Sequence, residues 1–263
     1  MLGVKLVSEN LVLEFGNTRW KLGSVDREYQ VTLVGSGHDL AQLTDLILHV
    51  APTFVGVASV APPQTVLDLR HALADSGVEL LEASPEQGFG ITLCYVDPSR
   101  LGVDRWLTLL AARYHGANQA AQSHAIIDAG TAVTLDVLNA NGHHRGGWIA
   151  PGFRLMQESL IQKSTRLRVS DNVPDAILGE GTEAAIHLGC QASLQGFAHT
   201  AIQSAEEALG SPPDCLWFTG GDSGLINKKA LQIAAKTQVI ERPNLVLEGL
   251  AQWLSFKSPP RSF

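Results

Sequence analysis

The sequence lacks several features that define whole classes of protein. Aromatic residues make up 6% of its 263 residues, and only 19 lysines and arginines accompany 26 aspartates and glutamates. The formal charge of −7, without a basic cluster, argues against nucleic acid as a partner. No stretch is long and apolar enough to cross a bilayer, and the N-terminus lacks a basic segment followed by an apolar run. We therefore expect a soluble, cytoplasmic protein with no membrane partner.

Cysteine is also scarce. Cys94, Cys190 and Cys215 are odd in number, widely spaced and set among apolar residues. This distribution is typical of buried, reduced thiols rather than of a disulfide framework or a zinc site. Hydrophobic residues account for 45% of the chain, which suits an ordinary globular protein. A chain of this length can bury a core without covalent staples.

Two stretches share one strand–turn–strand pattern. In Ile126–Leu138 an apolar run ends in Asp128–Thr131 and resumes as an alternating strand. Leu11–Gly23 repeats the pattern, with Glu14 as the acid and Gly16 as the glycine. Glycine permits a tight reversal and close approach of a phosphate to the main chain, while the acid can meet a metal ion or water. An ordinary β-turn with a solvated acid is the alternative for either stretch taken alone.

Hydrophobic periodicity and turn residues predict that both halves of the chain follow the order βββαβαβ, an α/β arrangement. The elements predicted for the first half are strands at 11–15, 19–25, 29–35, 54–60 and 78–81, and helices at 38–49 and from Pro63 through Leu73. Those predicted for the second half are strands at 125–128, 132–138, 144–149, 215–219 and 238–241, an insertion from 153 onward, and helices at 182–209, 225–235 and near the C-terminus. We expect two domains, residues 1–118 and 119–263, with a helix over Val103–Gln119 between the repeats.

The predicted helix from Thr182 to Leu209 is long, weakly charged and rich in small residues. Gly189 and Gly196 within it cost about 1 kcal/mol each relative to alanine, which favours close helix–helix contact. Such a helix suits either a dimer surface or the protein core.

Five segments stand in an order that is found in one enzyme family. They are Glu14–Lys21, Tyr95–Arg105, Asp128–Thr131, Gly146–Gly152 and Thr219–Asp222. Together they resemble the type III pantothenate kinases of the actin-like, sugar-kinase and heat-shock ATPase superfamily. The resemblance covers nearly the whole chain. It implies a duplicated ribonuclease H-like fold around a cleft, and ATP-dependent phosphorylation of pantothenate as the first step of coenzyme A biosynthesis.

The resemblance also implies a nucleotide site. The first phosphate loop would consist of Glu14, Phe15, Gly16, Asn17, Thr18, Arg19, Trp20 and Lys21. Thr131 would meet the nucleotide from the second loop, and Gly220 and Gly221 would flank the adenosine. Asp128 would hold the potassium or ammonium ion that the family requires, and magnesium would accompany ATP.

For pantothenate, the resemblance implies a site formed by Tyr95, Gly102, Val103, Asp104, Arg105 and Thr182. Asp104 would be the base that faces the primary hydroxyl, and Thr182 would close over pantothenate from the partner subunit of a homodimer. Phosphoryl transfer depends mainly on alignment and charge neutralisation, so this base need only accept a late proton. The alternative for Asp104 is a helix N-cap, the usual role of Asp at a helix start, and one residue could fill both roles.

The sequence departs from the family pattern at two positions. Glu14 replaces the usual Asp, and Asp97 replaces the usual Asn. A positional change near 1 Å can cost about a hundredfold in rate, so the first change bears on catalytic efficiency. Two alternatives follow: a kinase of another small polyol, or a catalytically weak relative with a regulatory or accessory role. His143 and His144 are expected to be exposed or near phosphate, because adjacent strand residues point to opposite faces and cannot jointly hold a metal.

Overall fold

The computed structural model describes residues 10–115, 121–162 and 176–257. Contacts between residues divide the chain into two compact units. The first unit runs to Gln119 and resumes at Asn244, and the second is Ala120–Pro243. The boundary predicted at 118/119 lies outside the described residues, and the C-terminal helix groups with the first unit rather than with the second.

The main elements in chain order are β1 (Asn10–Phe15), β2 (Trp20–Val25), β3 (Val31–Gly37), α1 (Leu40–Val50), β4 (Phe54–Ser59), α2 (Pro63–Ala72), β5 (Glu79–Glu82), α3 (Val103–Arg113), β6 (His124–Ala129), β7 (Ala132–Leu138), β8 (His144–Pro151), α4 (Phe153–Ile161), α5 (Thr182–Leu209), β9 (Cys215–Thr219), β10 (Gln238–Glu241) and α6 (Leu245–Lys257). Short 3-10 turns lie at Pro98–Arg100, Ser223–Leu225 and Lys228–Ala230. In the described residues, no helix combines the length and apolar character that a membrane span needs.

The first unit contains a five-stranded sheet in the order β3-β2-β1-β4-β5. The central strand β1 is antiparallel to β2 and parallel to β4. Leu11, Val12 and Leu13 are all fully buried, because the sheet is covered on both faces. Helix α6 packs against both this sheet and α3. At Gly249 the two helices come so close that a Cβ atom would overlap the carbonyl of Leu107.

The second unit repeats this topology with the order β10-β9-β6-β7-β8, which confirms the predicted duplication of strands. Here β6 is antiparallel to β7 and parallel to β9. The predicted α5 has the bounds Thr182–Leu209, and its buried residues Leu194, Ala198 and Ala201 join the core beneath the sheet.

Two predicted helices differ from the structure. The prediction of a helix over 225–235 is wrong, because two 3-10 turns lie in this region, at Ser223–Leu225 and Lys228–Ala230. The side chain of Gln195 explains the difference, since it accepts a hydrogen bond from the N–H of Asn227 (2.7 Å) and donates one to its carbonyl (3.2 Å). The N–H of Asn227 is thus bound by a side chain, while its carbonyl also accepts from the N–H of Ala230 (3.1 Å) and begins the second 3-10 turn. The helix after Gly102 ends at Arg113, earlier than the predicted Gln119.

Candidate active site

The first hairpin turns tightly between β1 and β2. The N–H of Gly16 donates to the carbonyl of Arg19 (3.0 Å), which closes the turn. Asn17, Thr18 and Arg19 are exposed at its tip. Phe15 and Trp20 flank the tip, but their side chains are buried in the core, so only their main chain is available to a ligand.

Glu14 and Lys21 stand opposite each other at the base of this hairpin. Glu14 Oε2 lies 3.4 Å from Lys21 Nζ, and the two side chains are 18% and 15% exposed. The same oxygen is buried and has no hydrogen-bond partner among the described residues, so the contact is an ion pair without hydrogen-bond geometry. A buried carboxylate oxygen that accepts no hydrogen bond can still receive a cation or a water molecule.

The predicted pantothenate segment leads into α3. Gly102 is the N-cap of α3, and no side chain caps the helix. Asp104 is therefore the second helical residue and not the N-cap, which settles the alternative raised by the sequence. It is half-buried, and its Oδ1 lies 2.8 Å from the N–H of Arg105. A helix N-terminus favours the ionised form of a carboxylate at this position.

Arg105 connects Asp104 to the preceding loop. Its side chain is only 5% exposed, and its Nη1 donates to the hydroxyl of Tyr95 (3.3 Å). The structure thus places the Arg105 guanidinium against Tyr95 and the Arg105 N–H beside the Asp104 carboxylate, three residues that the resemblance implied for the pantothenate site. A Cβ at Gly102 would lie 2.5 Å from Asp104 Oδ1, so a side chain there would displace this carboxylate from its present position.

Asp97 has a local structural role in the same loop. It caps the 3-10 turn Pro98–Arg100, and its Oδ1 accepts hydrogen bonds from the N–H (3.1 Å) and the hydroxyl (2.7 Å) of Ser99. An asparagine Oδ1 can accept both bonds. The departure from the family's Asn therefore leaves the geometry of the turn intact.

The second hairpin, formed by β6 and β7, contacts the loop after β9 and the start of α4. The carbonyl of Ala129 accepts a hydrogen bond from the N–H of Asp222 (2.8 Å), which brings the loop after β9 against the end of β6. Gly220 has φ +88°, and a Cβ there would overlap both the Ala129 carbonyl and the Asp128 carboxylate. Asp128 and Gly220 are therefore in direct proximity.

Gly152 lies against the second hairpin, and it was not among the residues that the resemblance implied for the site. Its N–H donates to the carbonyl of Thr131 (3.0 Å), and a Cβ would overlap the carbonyls of Gly130 and Thr131. The start of α4 therefore lies against the second hairpin. The available signal was the glycine itself, in the fourth of the five segments, because glycine permits close approach of the backbone.

The other predicted site residues of this unit are exposed. Thr131 lies at the tip of the second hairpin, and Gly221 lies in the loop after β9. Thr182 is the first residue of α5, where Gly181 is the N-cap. This exposure leaves all three residues accessible to a ligand or a partner.

Predictions for two histidines and three cysteines outside the site also have outcomes, and one tryptophan there makes a notable contact. His143 is exposed as expected, but His144 is buried and pairs with Asp136 (Nε2 to Oδ1, 3.0 Å), so its expected exposure is wrong. Cys190 and Cys215 are buried, whereas Cys94 is exposed. Burial raises the pKa of both buried thiols, which keeps them protonated. Trp148 packs edge-on against Phe197, with ring centroids 5.9 Å apart, although 39% of its surface is exposed.

Solved structures define the class of fold. A ROK family glucokinase from Streptomyces griseus, solved in complex with glucose and AMPPNP, superposes with a TM-score of 0.51 over 93% of this chain and 98% of its own, at 11% identity. A protein from Campylobacter jejuni described as a Baf family transcriptional activator gives a TM-score of 0.54 over 94% and 98%, at 19% identity. These matches show the fold, an α/β arrangement shared with a ROK family glucokinase, and confirm the predicted fold class.

Sequence relatives narrow the class. The family model described as type III pantothenate kinase matches residues 10–204. A type III pantothenate kinase from Pseudoalteromonas atlantica is 36% identical over 93% of this chain and 96% of its own. Another from Pseudomonas savastanoi pv. phaseolicola is 33% identical over 92% and 97%. The chain belongs to the type III pantothenate kinase family, and it is a phosphotransferase of that kind.

Proposed function

We propose that this chain transfers the γ-phosphoryl group of ATP to the primary hydroxyl of pantothenate, giving phosphopantothenate and ADP, with Asp104 as the base. The observation that carries this assignment is the placement of Asp104 in the first turn of α3, beside the buried Arg105 that contacts Tyr95. The hydroxyl proton would pass to the Asp104 carboxylate as the oxygen–phosphorus bond forms and the bond to ADP breaks. A transition state of this kind needs alignment more than a strong base.

The first hairpin supplies the proposed phosphate site. Asn17 and Thr18 are exposed, so the side-chain amide of Asn17 and the hydroxyl of Thr18 can donate hydrogen bonds to phosphate oxygens. Lys21 can neutralise the negative charge of the phosphates. Glu14 fits a role toward magnesium, because its Oε2 is a buried oxygen without a hydrogen bond. When bound with ATP, magnesium would neutralise charge on the phosphates. The described residues contain no cluster of three or more His, Cys, Asp and Glu, so the nucleotide itself would provide most of the magnesium ligands.

The second hairpin suits a monovalent cation. Asp128 offers a carboxylate at the end of β6. A side chain at position 220 would fill the space beside this carboxylate, and Gly220 leaves that space open. Oxygen ligands of this type fit a hard cation such as potassium, and ammonium can occupy a similar site. The bound ion would contribute positive charge near the nucleotide. Thr131, Gly220 and Gly221 would contact the nucleotide from this side.

We also propose that the enzyme is a homodimer in which Thr182 closes over the partner's pantothenate. Exposed Gly189 and Gly196 on α5 support a close helical interface, since the space around both is open. Light scattering at several concentrations tests this assembly. A monomer with full activity would contradict it.

The decisive experiment measures ADP release from Mg-ATP with and without pantothenate, each with and without potassium. We expect turnover that requires pantothenate and rises with potassium. Turnover that prefers another small alcohol in competition would favour a different polyol kinase. No ADP release from a folded protein that binds ATP would favour the regulatory alternative. Pantothenate-dependent turnover that ignores both potassium and ammonium would remove Asp128 as a cation site.

A further inference from the structure

We propose that His38 is a positioning residue. It holds the tip of the first phosphate loop (Glu14–Lys21) in the conformation that binds phosphate. His38 lies between β3 and α1, outside the five segments that resemble the family. The inference rests on the proposed function insofar as this loop is taken as the ATP phosphate site. It adds a residue from a separate part of the chain to that site.

The contact is direct. His38 Nδ1 lies 2.6 Å from the carbonyl oxygen of Thr18, across 20 residues of sequence. A carbonyl can only accept a hydrogen bond, so Nδ1 carries the hydrogen and donates it. Thr18 lies at the exposed tip of the loop, where the β1–β2 ladder has already ended. The imidazole therefore fixes the part of the loop that the sheet does not hold.

The other side of the contact is well anchored. The indole N–H of Trp20 donates to the carbonyl of Asp39 (3.0 Å), one residue after His38. A Cβ at Gly37, one residue before it, would lie 2.8 Å from the buried Trp20 ring. Asp39 also caps α1 by accepting from the N–H of Ala41 (3.0 Å). Gly37 and Asp39, on either side of His38, are held in place by Trp20 and by α1. The hydrogen bond from His38 therefore connects the loop to a part of the backbone that is itself fixed.

This arrangement has a consequence for nucleotide binding. An exposed turn that must become ordered around phosphate loses conformational entropy at that step, and prior ordering removes part of this cost. Loss of the His38 hydrogen bond should therefore weaken nucleotide binding and leave pantothenate binding unaffected. A neutral hydrogen bond of this kind corresponds to a change of about three- to tenfold in affinity.

The test uses His38→Ala and His38→Asn, with His49→Ala as the matched control. Asparagine can present its side-chain N–H close to where Nδ1 stands in histidine, so it retains the donor without the ring. His49 is an exposed histidine in the last turn of α1, the helix that follows His38. Each full-length variant is titrated with Mg-ATP in the presence of potassium and without pantothenate. KM for ATP and for pantothenate, and the thermal midpoint, are then measured separately.

We expect His38→Ala to raise the Kd and the KM for ATP about three- to tenfold, with KM for pantothenate little changed. His38→Asn should recover most of the ATP affinity, and His49→Ala should match the parent protein. An unchanged ATP affinity in His38→Ala would overturn the inference, as would failure of His38→Asn to recover it. Parallel weakening of both substrates would show a general structural role instead. A parent protein that binds Mg-ATP but does not phosphorylate pantothenate would refute the proposed function, whereas the titration would still decide the role of His38.

Discussion

The carboxylate of Glu14 and the ammonium of Lys21 face each other across the first hairpin, with Oε2 3.4 Å from Nζ. The longer Glu side chain thus reaches Lys21 directly from the strand position opposite to it. Since Glu14 Oε2 accepts no hydrogen bond from the described residues, this pair is not locked by a wider network. A shorter acid at the same position can therefore be accommodated.

The first prediction concerns Glu14→Asp. We expect this variant to maintain or raise kcat, because Asp keeps the charge beside the phosphate loop and restores the length that is usual in the family. Glu14→Gln is the matched control: it keeps the length, loses the charge and should lower kcat/KM for Mg-ATP about tenfold or more. Steady-state kinetics over a range of magnesium concentrations measure both. Complete loss of activity in Glu14→Asp would mean that the site requires the longer side chain of Glu.

The second prediction concerns the base. Asp104→Asn should lower kcat by about a hundredfold or more, because a positioned general base contributes a factor of that size. Nucleotide affinity, measured by titration with Mg-ATP, should stay near that of the parent. Asp97→Asn is the control, since asparagine can accept the same bonds from Ser99. Equal losses of ATP affinity and rate in Asp104→Asn would defeat the assignment.

The third prediction concerns Gly220. The φ of +88° and the lack of room beside Asp128 make any side chain unfavourable at this position. Gly220→Ala should displace the Asp128 carboxylate and raise the potassium concentration for half-maximal activity by about tenfold. Gly224→Ala, in the same loop with open space around it, is the control and should behave as the parent. Unaltered potassium activation in Gly220→Ala would separate Gly220 from the cation site.

The fourth prediction concerns the contact of α3 with α6. Gly249→Ala adds a methyl group that would overlap the carbonyl of Leu107. Overpacking of this kind costs about 1–3 kcal/mol, which outweighs the gain of about 1 kcal/mol from replacing glycine in a helix. We expect a lower urea midpoint and reduced kcat, because Leu107 lies one turn after Asp104 in α3. A more stable Gly249→Ala protein would show that the helices can separate freely.

The fifth prediction concerns Asp214 and pH. Hydrogen bonding from the Ser123 N–H (2.8 Å) lowers the pKa of Asp214 from its ordinary value of 3.8. The ionised form therefore stabilises the fold above that pH, and this contribution is lost as pH falls through the lower pKa of the folded state. Asp214→Asn should reduce the free energy of unfolding at pH 7 by about 1 kcal/mol, a modest value because the carboxylate is exposed.

Urea unfolding at several pH values tests this effect. The difference between Asp214→Asn and the parent should begin to narrow as the pH falls below about 4, where the carboxylate of the unfolded chain takes up a proton, and should go on narrowing through the lower pKa of the folded state. Asp75→Asn, an exposed acid in another loop, controls for loss of surface charge. A difference that is constant with pH would exclude ionisation of Asp214 as its source.

Much of the site followed from sequence because its chemistry is local. An acid, a spacer and a glycine between two β-patterned runs specify a tight hairpin, and both hairpins form as predicted. The resemblance likewise grouped Tyr95 and Arg105 in one short segment, and their side chains are in contact there. In each case the interacting residues lie within a strand pair or a single loop and helix, so neighbouring residues in the chain decide the outcome.

Long-range contacts decided what the sequence left undetermined. The side chain of Gln195 replaces a predicted helix with 3-10 turns by binding both backbone groups of Asn227, 32 residues away. Asp136 accepts a hydrogen bond from His144 and so permits its burial, although the sequence pattern favoured exposure. The Gln195 contact has no local signature, because it depends on a partner brought close by the fold. The pair of His144 and Asp136 lies within the strands β7 and β8, but hydrophobic periodicity does not predict a buried polar pair.

The amino-acid sequence by itself determined the duplicated strand order, the two glycine hairpins and the family, since each of these is expressed in periodicity or in short spaced patterns. Tertiary structure alone decided that α6 packs on α3, that Gly152 approaches the second hairpin and that His38 reaches Thr18. The physical reason is the range of the interaction. Turn and strand preferences act over a few residues, whereas helix packing and side-chain hydrogen bonds act between segments whose proximity exists only after folding.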